Sequence, residues 1–351
     1  MSFLESLTSE AMGRGQEYRP GSLILASRTA QCQASNFVLN SSYCLSIILI
    51  YRDRQSAHGS TERSMKEYLD LVKRVIADGI RKPSRTGVDT ISFFGAFYKV
   101  NLAAGFPLLT TKKVNYSAVL RELLWYLSGQ EHIRQLRKHT KIWNAWADEN
   151  GELETAYGRY WRRFPHPIQK SHAPIAQTGE KIAPVEEIDQ IAYVIKEIKR
   201  NPNSRRLVVS AWDPGNAQRS KLPPCHYSFV LQVLDSRLNC HLSQRSGDVA
   251  LGIPFNLACY ATLTQMIAQE CGLELGEFAH SIVDAHIYVA DPAGKMAEFD
   301  HLAGLREQLQ RTPRPLPRLK IARKPFDQLV YEDFTLEGYD PHPPIAFKVA
   351  V

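Results

Sequence analysis

Apolar residues first recur at helical spacing at Tyr68, Leu71, Val72, Val75 and Ile76, and the run stops at Gly79, which predicts a helix over 65–78. Residues 90–100 are rich in aromatic and β-branched side chains and read as a strand. A second helix is predicted over 117–128, with Leu120, Leu123, Leu124 and Leu127 in one stripe and Gly129 at its end. A third spans 188–200, with acids before it, Lys199 and Arg200 in its last turn and Pro202 beyond. Strands follow at 206–212, 226–234 and 237–245, the last two joined by a short Asp235-Ser236 turn. A helix over 257–271 and a strand over 280–289 complete the pattern. Helices and strands do not alternate regularly, so the expected class is α+β with a large mixed sheet rather than a doubly wound fold. No internal repeat and no boundary interrupts 65–351, which reads as a single domain.

Residues 1–64 differ from the rest. They hold 12 serines and no lysine, whereas the remaining chain has 17 lysines. Leu45 to Tyr51 is too short and too far from the terminus for a signal peptide, and Glu5, Glu10 and Glu17 spoil a transit-peptide reading. The segment is expected to be a poorly ordered extension, or to lie upstream of a start at Met65.

Composition narrows the class further. With 351 residues and 44% hydrophobic content the chain can bury a sizeable core, and no apolar run reaches the ~18–20 residues of a membrane span. The formal charge of +7 suits anionic partners, but 43 cations spread against 36 anions is a weak case for nucleic acid. Six cysteines without a C-x-x-C pair read as cytosolic thiols, so a cytoplasmic location is expected. There is no G-x-G-x-x-G after a strand, no Walker loop and no H-E-x-x-H, and the eleven histidines are scattered. No metal site is expected.

Three features resist a purely structural reading. Leu222-Pro223-Pro224-Cys225-His226 stands at the mouth of a predicted strand. A buried cysteine is usually inert packing, but two prolines hold this one in place as a nucleophile would need. His226 points to the opposite face of an extended strand, so it reads as an orienting group rather than the base for Cys225. Arginines are the second feature: Arg85 in Ser84-Arg85-Thr86-Gly87, Arg205 and Arg206 before a strand, and Arg245 in Gln244-Arg245-Ser246-Gly247-Asp248. Flanked by Ser, Thr and Gly at strand ends, they suit a phosphate, whose oxygens match the guanidinium fork. Arg245 is also a candidate for lowering the pKa of Cys225. Third, Glu122 lies in a helix that is apolar nearly all round, where burial raises a carboxyl pKa toward neutrality. A satisfied structural carboxylate is the competing reading.

Together these segments resemble the thymidylate synthase family. The resemblance is carried, in order, by S-R-T-G at Ser84, F-P-L-L-T-T-K-K at Phe106, R-E-L-L-W-Y-L at Arg121 and I-W-N-A-W-A-D-E-N-G at Ile142. It continues through A-Y-G-R-Y-W-R at Ala156, S-R-R-L-V-V-S-A-W at Ser204, L-P-P-C-H at Leu222 and Q-R-S-G-D-V-A-L-G-I-P-F-N at Gln244. D-A-H-I-Y at Asp284, R-P-L-P at Arg314 and G-Y-D-P-H-P at Gly338 close the series, while residues 1–64 have no counterpart.

The resemblance implies a twisted sheet covered by helices on one face, and a homodimer packed sheet to sheet. It implies reductive methylation of dUMP to dTMP, with 5,10-methylenetetrahydrofolate as one-carbon and hydride donor, through a Cys225 adduct at uracil C6. Glu122, Tyr157, His226 and Asn256 would join Cys225 as catalytic residues. Arg85, Gln244, Arg245, Ser246, Asn256, His286 and Tyr288 would bind dUMP, with Arg205 and Arg206 reaching in from the second subunit. Lys112, Trp143, Asp248 and the C-terminal Val351 would meet the folate. Asn144, Gly247, Ala250 and Ala285 depart from the family's common residues, and Gly247 with Ala250 is expected to loosen packing beside the phosphate site. A dUMP or dCMP hydroxymethylase of the same fold, or a catalytically silent nucleotide- or RNA-binding relative, are the alternatives.

Overall fold

The computed structural model describes residues 64–154, 156–167, 185–218 and 220–350. The expectations for the N-terminal extension, up to residue 63, and for Val351 lie outside the described residues.

Helix α1 (Lys66–Asp78) buries Tyr68, Leu71, Val72 and Val75, the stripe its spacing dictates. Strands β1 (Ile80–Lys82) and β2 (Asp89–Asn101) pair antiparallel across the loop that carries Arg85. Helix α2 (Tyr116–Leu127) starts where the Asn115 side chain accepts a hydrogen bond from the Ala118 N–H, and helix α3 (Tyr157–Arg162) packs against it. That approach is close: a Cβ on Gly158 would lie 2.3 Å from the Tyr126 carbonyl oxygen. Strands β3 (Phe164–Pro167) and β4 (Val185–Ile188) form a separate pair. Helix α4 (Gln190–Arg200) begins later than its apolar pattern predicts, because Asp189 caps it and leaves Ile188 in β4.

The remaining elements are β5 (Val208–Ser210), α5 (Pro214–Ala217), β6 (His226–Leu234), β7 (Arg237–Asp248), α6 (Gly252–Cys271), β8 (Glu274–Val289), α7 (Leu302–Gln310), β9 (Arg318–Ile321) and β10 (Phe334–Glu337). Six strands form one mixed sheet in the order β1-β2-β8-β7-β6-β5. Both residues of the β6–β7 turn, Asp235 and Ser236, have positive φ, as a two-residue hairpin turn matching strand twist requires. The single parallel pairing in the sheet joins β7 to β8 through α6. Helix α6 begins five residues before its predicted start, since Pro254 in the first turn gives up an N–H that has no helical partner there. It is buried on nearly every side and ends at Gly272, whose left-handed φ of 66° closes the C-terminus. Strand β8 likewise begins earlier than its apolar run.

Alternation along the strands sends Ala96, Tyr98, Val100, Phe229, Leu231, Leu242, Phe278 and Ile282 into the core. On the opposite face Phe97, Val283 and Val208 remain exposed, at 52%, 46% and 44% of their surface. This is the α+β class with a large mixed sheet, and among the described residues its outer face leaves these apolar side chains uncovered beside polar ones such as Lys99 and His241.

Candidate active site

At β7 and β8 two strands run in the same direction, and their carboxyl ends bring several of the predicted site residues together. Gln244 to Asp248 end β7, His286 and Tyr288 end β8, Asn256 lies in the second turn of α6, and Cys225 immediately precedes β6. The chain order of these segments is scattered, but the topology gathers them at one place.

Cys225 is partly exposed and is held from three sides. Its backbone N–H donates to the Tyr157 hydroxyl at 2.7 Å, and its carbonyl accepts from the Arg245 N–H at 2.9 Å. The Arg245 guanidinium donates to the Pro224 carbonyl at 3.0 Å and the Pro223 carbonyl at 2.6 Å, with the Cys225 Sγ 3.5 Å from Nη2. The two prolines thus anchor the arginine as well as the cysteine. A bulge between His226 and Ser228 lets β6 bend away from this point. Burial pushes the Cys225 thiol up, while Arg245 and then Arg85 pull it down. Burial outweighs the arginines, so the cation contact lowers the pKa as expected but does not bring it below that of an ordinary thiol. Arg245→Ala is therefore expected to move the pH profile of Cys225 alkylation to higher pH and to slow alkylation at neutral pH by roughly tenfold. An unchanged profile would refute the electrostatic link.

Behind the cysteine lies a wall of aromatic rings. His226 is buried, stacked on Tyr157 with ring centroids 3.8 Å apart, and its Nδ1 is 2.8 Å from the Tyr260 hydroxyl. Burial, and then Arg245, lower its pKa to about 3, so the ring is neutral. Tyr126 packs between Trp143, Tyr157 and Trp161. Glu122 sits in this wall, one carboxylate oxygen accepting from the Trp143 Nε1–H at 2.6 Å. Burial raises its pKa to about 7 against the pull of hydrogen bonds from Trp143 and Tyr126. It can therefore exchange a proton near neutral pH.

On the other side of the cysteine, the buried Gln244 amide donates to the Ser246 carbonyl at 2.9 Å and to the Asn256 Oδ1 at 3.0 Å. Ser246 Oγ is 3.5 Å from the His286 Nδ1, and the Tyr288 ring packs edge-on against His286. Burial raises Tyr288 to about 12, and its charge neighbours include Asp248, Arg85 and Cys225. Arg85 is exposed in a tight loop where Gly87 has φ 77° and Ser84 pairs with Thr86.

The residues expected to meet a folate are partly dispersed. Trp143 and Trp146 line a cavity of about 250 Å³ with Leu222 and Lys221, beside the Glu122 carboxyl. Asp248 accepts from the Ala250 N–H at 2.8 Å and lies 3.5 Å from the His301 Nδ1. Burial raises its pKa, but the His301 contact, His286 and the Ala250 N–H outweigh that and leave it lowered. Lys112 is buried, its ammonium bonded to the Ala250 carbonyl and lying 4.5 Å from the Phe347 ring centre. Burial lowers it to about 8. It packs beneath the C-terminal segment rather than standing free at the surface. That segment is tied down further where the His301 Nε2–H donates to the Lys348 carbonyl at 2.9 Å.

Arg205 and Arg206 are exposed, and their side chains have no ion pair or hydrogen bond to a described residue. One expectation fails on packing: Gly247 does not loosen its surroundings. A Cβ there would lie 2.4 Å from the Ile253 Cδ1, so Ile253 fills the space, and Ala250 and Ala285 are fully buried. Asn144 is exposed. The sequence pattern missed Tyr260, Tyr126, Tyr98, His280 and His301, which support the site from behind. Apolar periodicity counts such tyrosines as core, and only their hydrogen bonds distinguish them.

Among the described residues no group of His, Cys, Asp and Glu could hold a metal, and no helix is long and apolar enough to cross a membrane. Cys225, Cys240, Cys259 and Cys271 are free thiols. Comparison with known proteins matches residues 66–351 to a family model described as thymidylate synthase. A thymidylate synthase of Haloferax volcanii is 46% identical over 333 residues, covering 80% of this chain and 95% of the relative.

Proposed function

This chain belongs to the thymidylate synthase family, and from that premise we propose how its own residues carry out the methylation of dUMP. The observation that carries the reading is the Cys225 Sγ, 3.5 Å from the Arg245 guanidinium and partly exposed just before β6. Arg245, Arg85 and Ser246 bind the phosphate of dUMP, and His286 with Tyr288 meets the sugar hydroxyl. Phosphate carries about −1.5 to −2 charges near neutral pH, so two or more guanidinium groups share it. Held in this way, the uracil lies with C6 toward the sulfur. The Cys225 thiolate donates an electron pair to C6, the C5–C6 π pair shifts onto C5 and O4, and C5 becomes the nucleophile. Adding the thiolate divides one difficult carbon alkylation into easier steps.

Glu122, close to neutrality in its aromatic wall, moves protons between the O4 and C5 region and water. Tyr157 holds the cysteine backbone through the Cys225 N–H, and neutral His226, stacked on Tyr157 and bonded to Tyr260, keeps that wall rigid. Asn256 reads the uracil edge. The family's co-substrate 5,10-methylenetetrahydrofolate, when bound, supplies the one-carbon unit and the hydride. The cavity beside Trp143 and Trp146 has the flat aromatic wall a pterin stacks on, and Asp248 offers its carboxylate to pterin nitrogens. The C-terminal segment, already fastened through His301 and Lys112, completes the cover, and Val351 would extend it. Closure of this kind excludes water from a reactive carbanion.

The large apolar side chains Phe97, Val283 and Val208 exposed on the outer face of the sheet support a homodimer formed by two such faces. Arg205 and Arg206, exposed and with no ion pair to a described residue, are then placed to reach the second subunit's phosphate. Residues 1–64 are proposed to be an appendage to the catalytic domain 65–351, and free thiols suit a cytosolic enzyme. The test is product analysis with dUMP and methylenetetrahydrofolate, on the full chain and on a chain starting at Met65. Both are expected to yield dTMP and dihydrofolate in equal amounts. Hydroxymethyl-dUMP without dihydrofolate would overturn the reaction, and loss of turnover in the shorter chain would overturn the appendage.

A further inference from the structure

Four polar side chains form a continuous buried chain along the core side of the sheet, from β2 to the N-terminal end of α6. Tyr98 on β2 meets His280 on β8 at 2.8 Å, His280 meets Gln244 on β7 at 2.9 Å, and Gln244 meets Asn256 on α6 at 3.0 Å. His280 is fully buried and Gln244 nearly so. Counting donors fixes every direction in this chain. The Gln244 NH₂ group uses its two hydrogens on the Ser246 carbonyl and the Asn256 Oδ1, so its Oε1 faces His280 and needs a donor. His280 supplies it from Nε2–H. Its Nδ1 is then an acceptor, and the Tyr98 O–H is the donor to it. Burial, with His226 and His241 nearby, lowers His280 to about 3, and burial keeps the Tyr98 phenol protonated, so both groups hold these roles across the working pH range.

The far end of the relay has a chemical consequence. With Oδ1 turned to Gln244, the Asn256 amide presents its NH₂ on the other branch, where it has no hydrogen bond to a described residue. Uracil offers an acceptor, O4, to such a donor, whereas cytosine offers an amino group that would clash with it. The second lone pair of Oδ1 stays open for the uracil N3–H. Were the Asn256 amide reversed, the preference would reverse with it.

We propose that Tyr98 and His280 are positioning residues that fix the amide orientations of Gln244 and Asn256 and thereby set the preference for uracil over cytosine nucleotides. This rests on the dUMP reading above and adds two residues that no feature of the motif series singles out.

The experiment measures competitive binding of dUMP and dCMP together with initial rates. In His280→Leu the Gln244 Oε1 loses its donor, and the preference for dUMP over dCMP is expected to fall about tenfold, with KM for dUMP rising more than kcat falls. His280→Gln, which keeps an amide N–H, is expected to restore most of the preference. Tyr98→Phe removes only the hydroxyl and is expected to lower the preference roughly twofold to threefold. Cys225 alkylation and the thermal midpoint report whether each variant is folded. An unchanged preference in folded His280→Leu overturns the proposal. If that variant does not fold, an unchanged preference in Tyr98→Phe overturns it instead. Failure of the dUMP reading has a separate signature, namely that the unaltered chain shows no preference at all.

Discussion

Cys225→Ala is expected to lower kcat by about 10⁴-fold or more while dUMP still binds. The magnitude follows from what the sulfur does. Without an electron pair added at C6, uracil C5 is not nucleophilic, and no neighbouring group substitutes for the thiolate. His226 is neutral and committed to Tyr260 and Tyr157, and Tyr157 is committed to the Cys225 N–H. Binding survives because, in the arrangement proposed above, the phosphate and sugar contacts come from Arg85, Arg245, Ser246, His286 and Tyr288, none of which the substitution alters. Steady-state kinetics with a separate equilibrium titration of dUMP checks both halves. Appreciable turnover in the variant would remove covalent addition from the mechanism, and lost binding would mean that the residue is structural.

Glu122→Gln has the second largest effect, and it acts on activity and stability in opposite directions. Loss of the proposed proton-transfer group is expected to lower kcat by about 10²–10⁴-fold. The folded pKa, raised by burial from 4.5 to about 7, gives the sign of the stability change. Between these values the folded chain keeps a proton that the unfolded chain has released, so stability falls as pH rises through this window. Above it the buried carboxylate costs on the order of 3 kcal/mol. Glutamine keeps an oxygen for the Trp143 N–H without that charge. Its thermal midpoint should therefore exceed the parent's at pH 8 and match it near pH 4. Equal midpoints at pH 8 would show that Glu122 is not held against its own ionisation.

Much of this site was legible in the sequence because its residues break local rules. A glutamate in an all-apolar helix, a cysteine after two prolines, and arginines among Ser and Gly at strand ends each lack a cheap structural reason. The helices and the central strands were legible too, since their apolar spacing is long and regular. Short elements were not: α3, α7, β9 and β10 are too brief for periodicity to emerge. Early turns of α6 were hidden by Gly252 and Pro254, which read as breakers but sit where a helix tolerates them. The hydrogen-bonded support behind the site was invisible for a different reason. Tyr98, Tyr260 and His280 occupy inward positions any apolar residue could fill; the pairing of β2, β8 and β7 sets Tyr98 and His280 in line, and the packing of α6 on β6 brings Tyr260 to His226. Gly247 taught the reverse lesson. A missing side chain read as looseness, but Ile253 from the following helix occupies the space.

Peptide mapping by mass spectrometry, after quenching the enzyme during turnover of dUMP with denaturant, tests the central claim most directly. The account predicts a uracil nucleotide attached to the peptide that contains Cys225 and to no other thiol, formed more slowly when Arg245 is replaced. Sustained dTMP formation with no modified Cys225 peptide, or with the nucleotide on another cysteine, would contradict it.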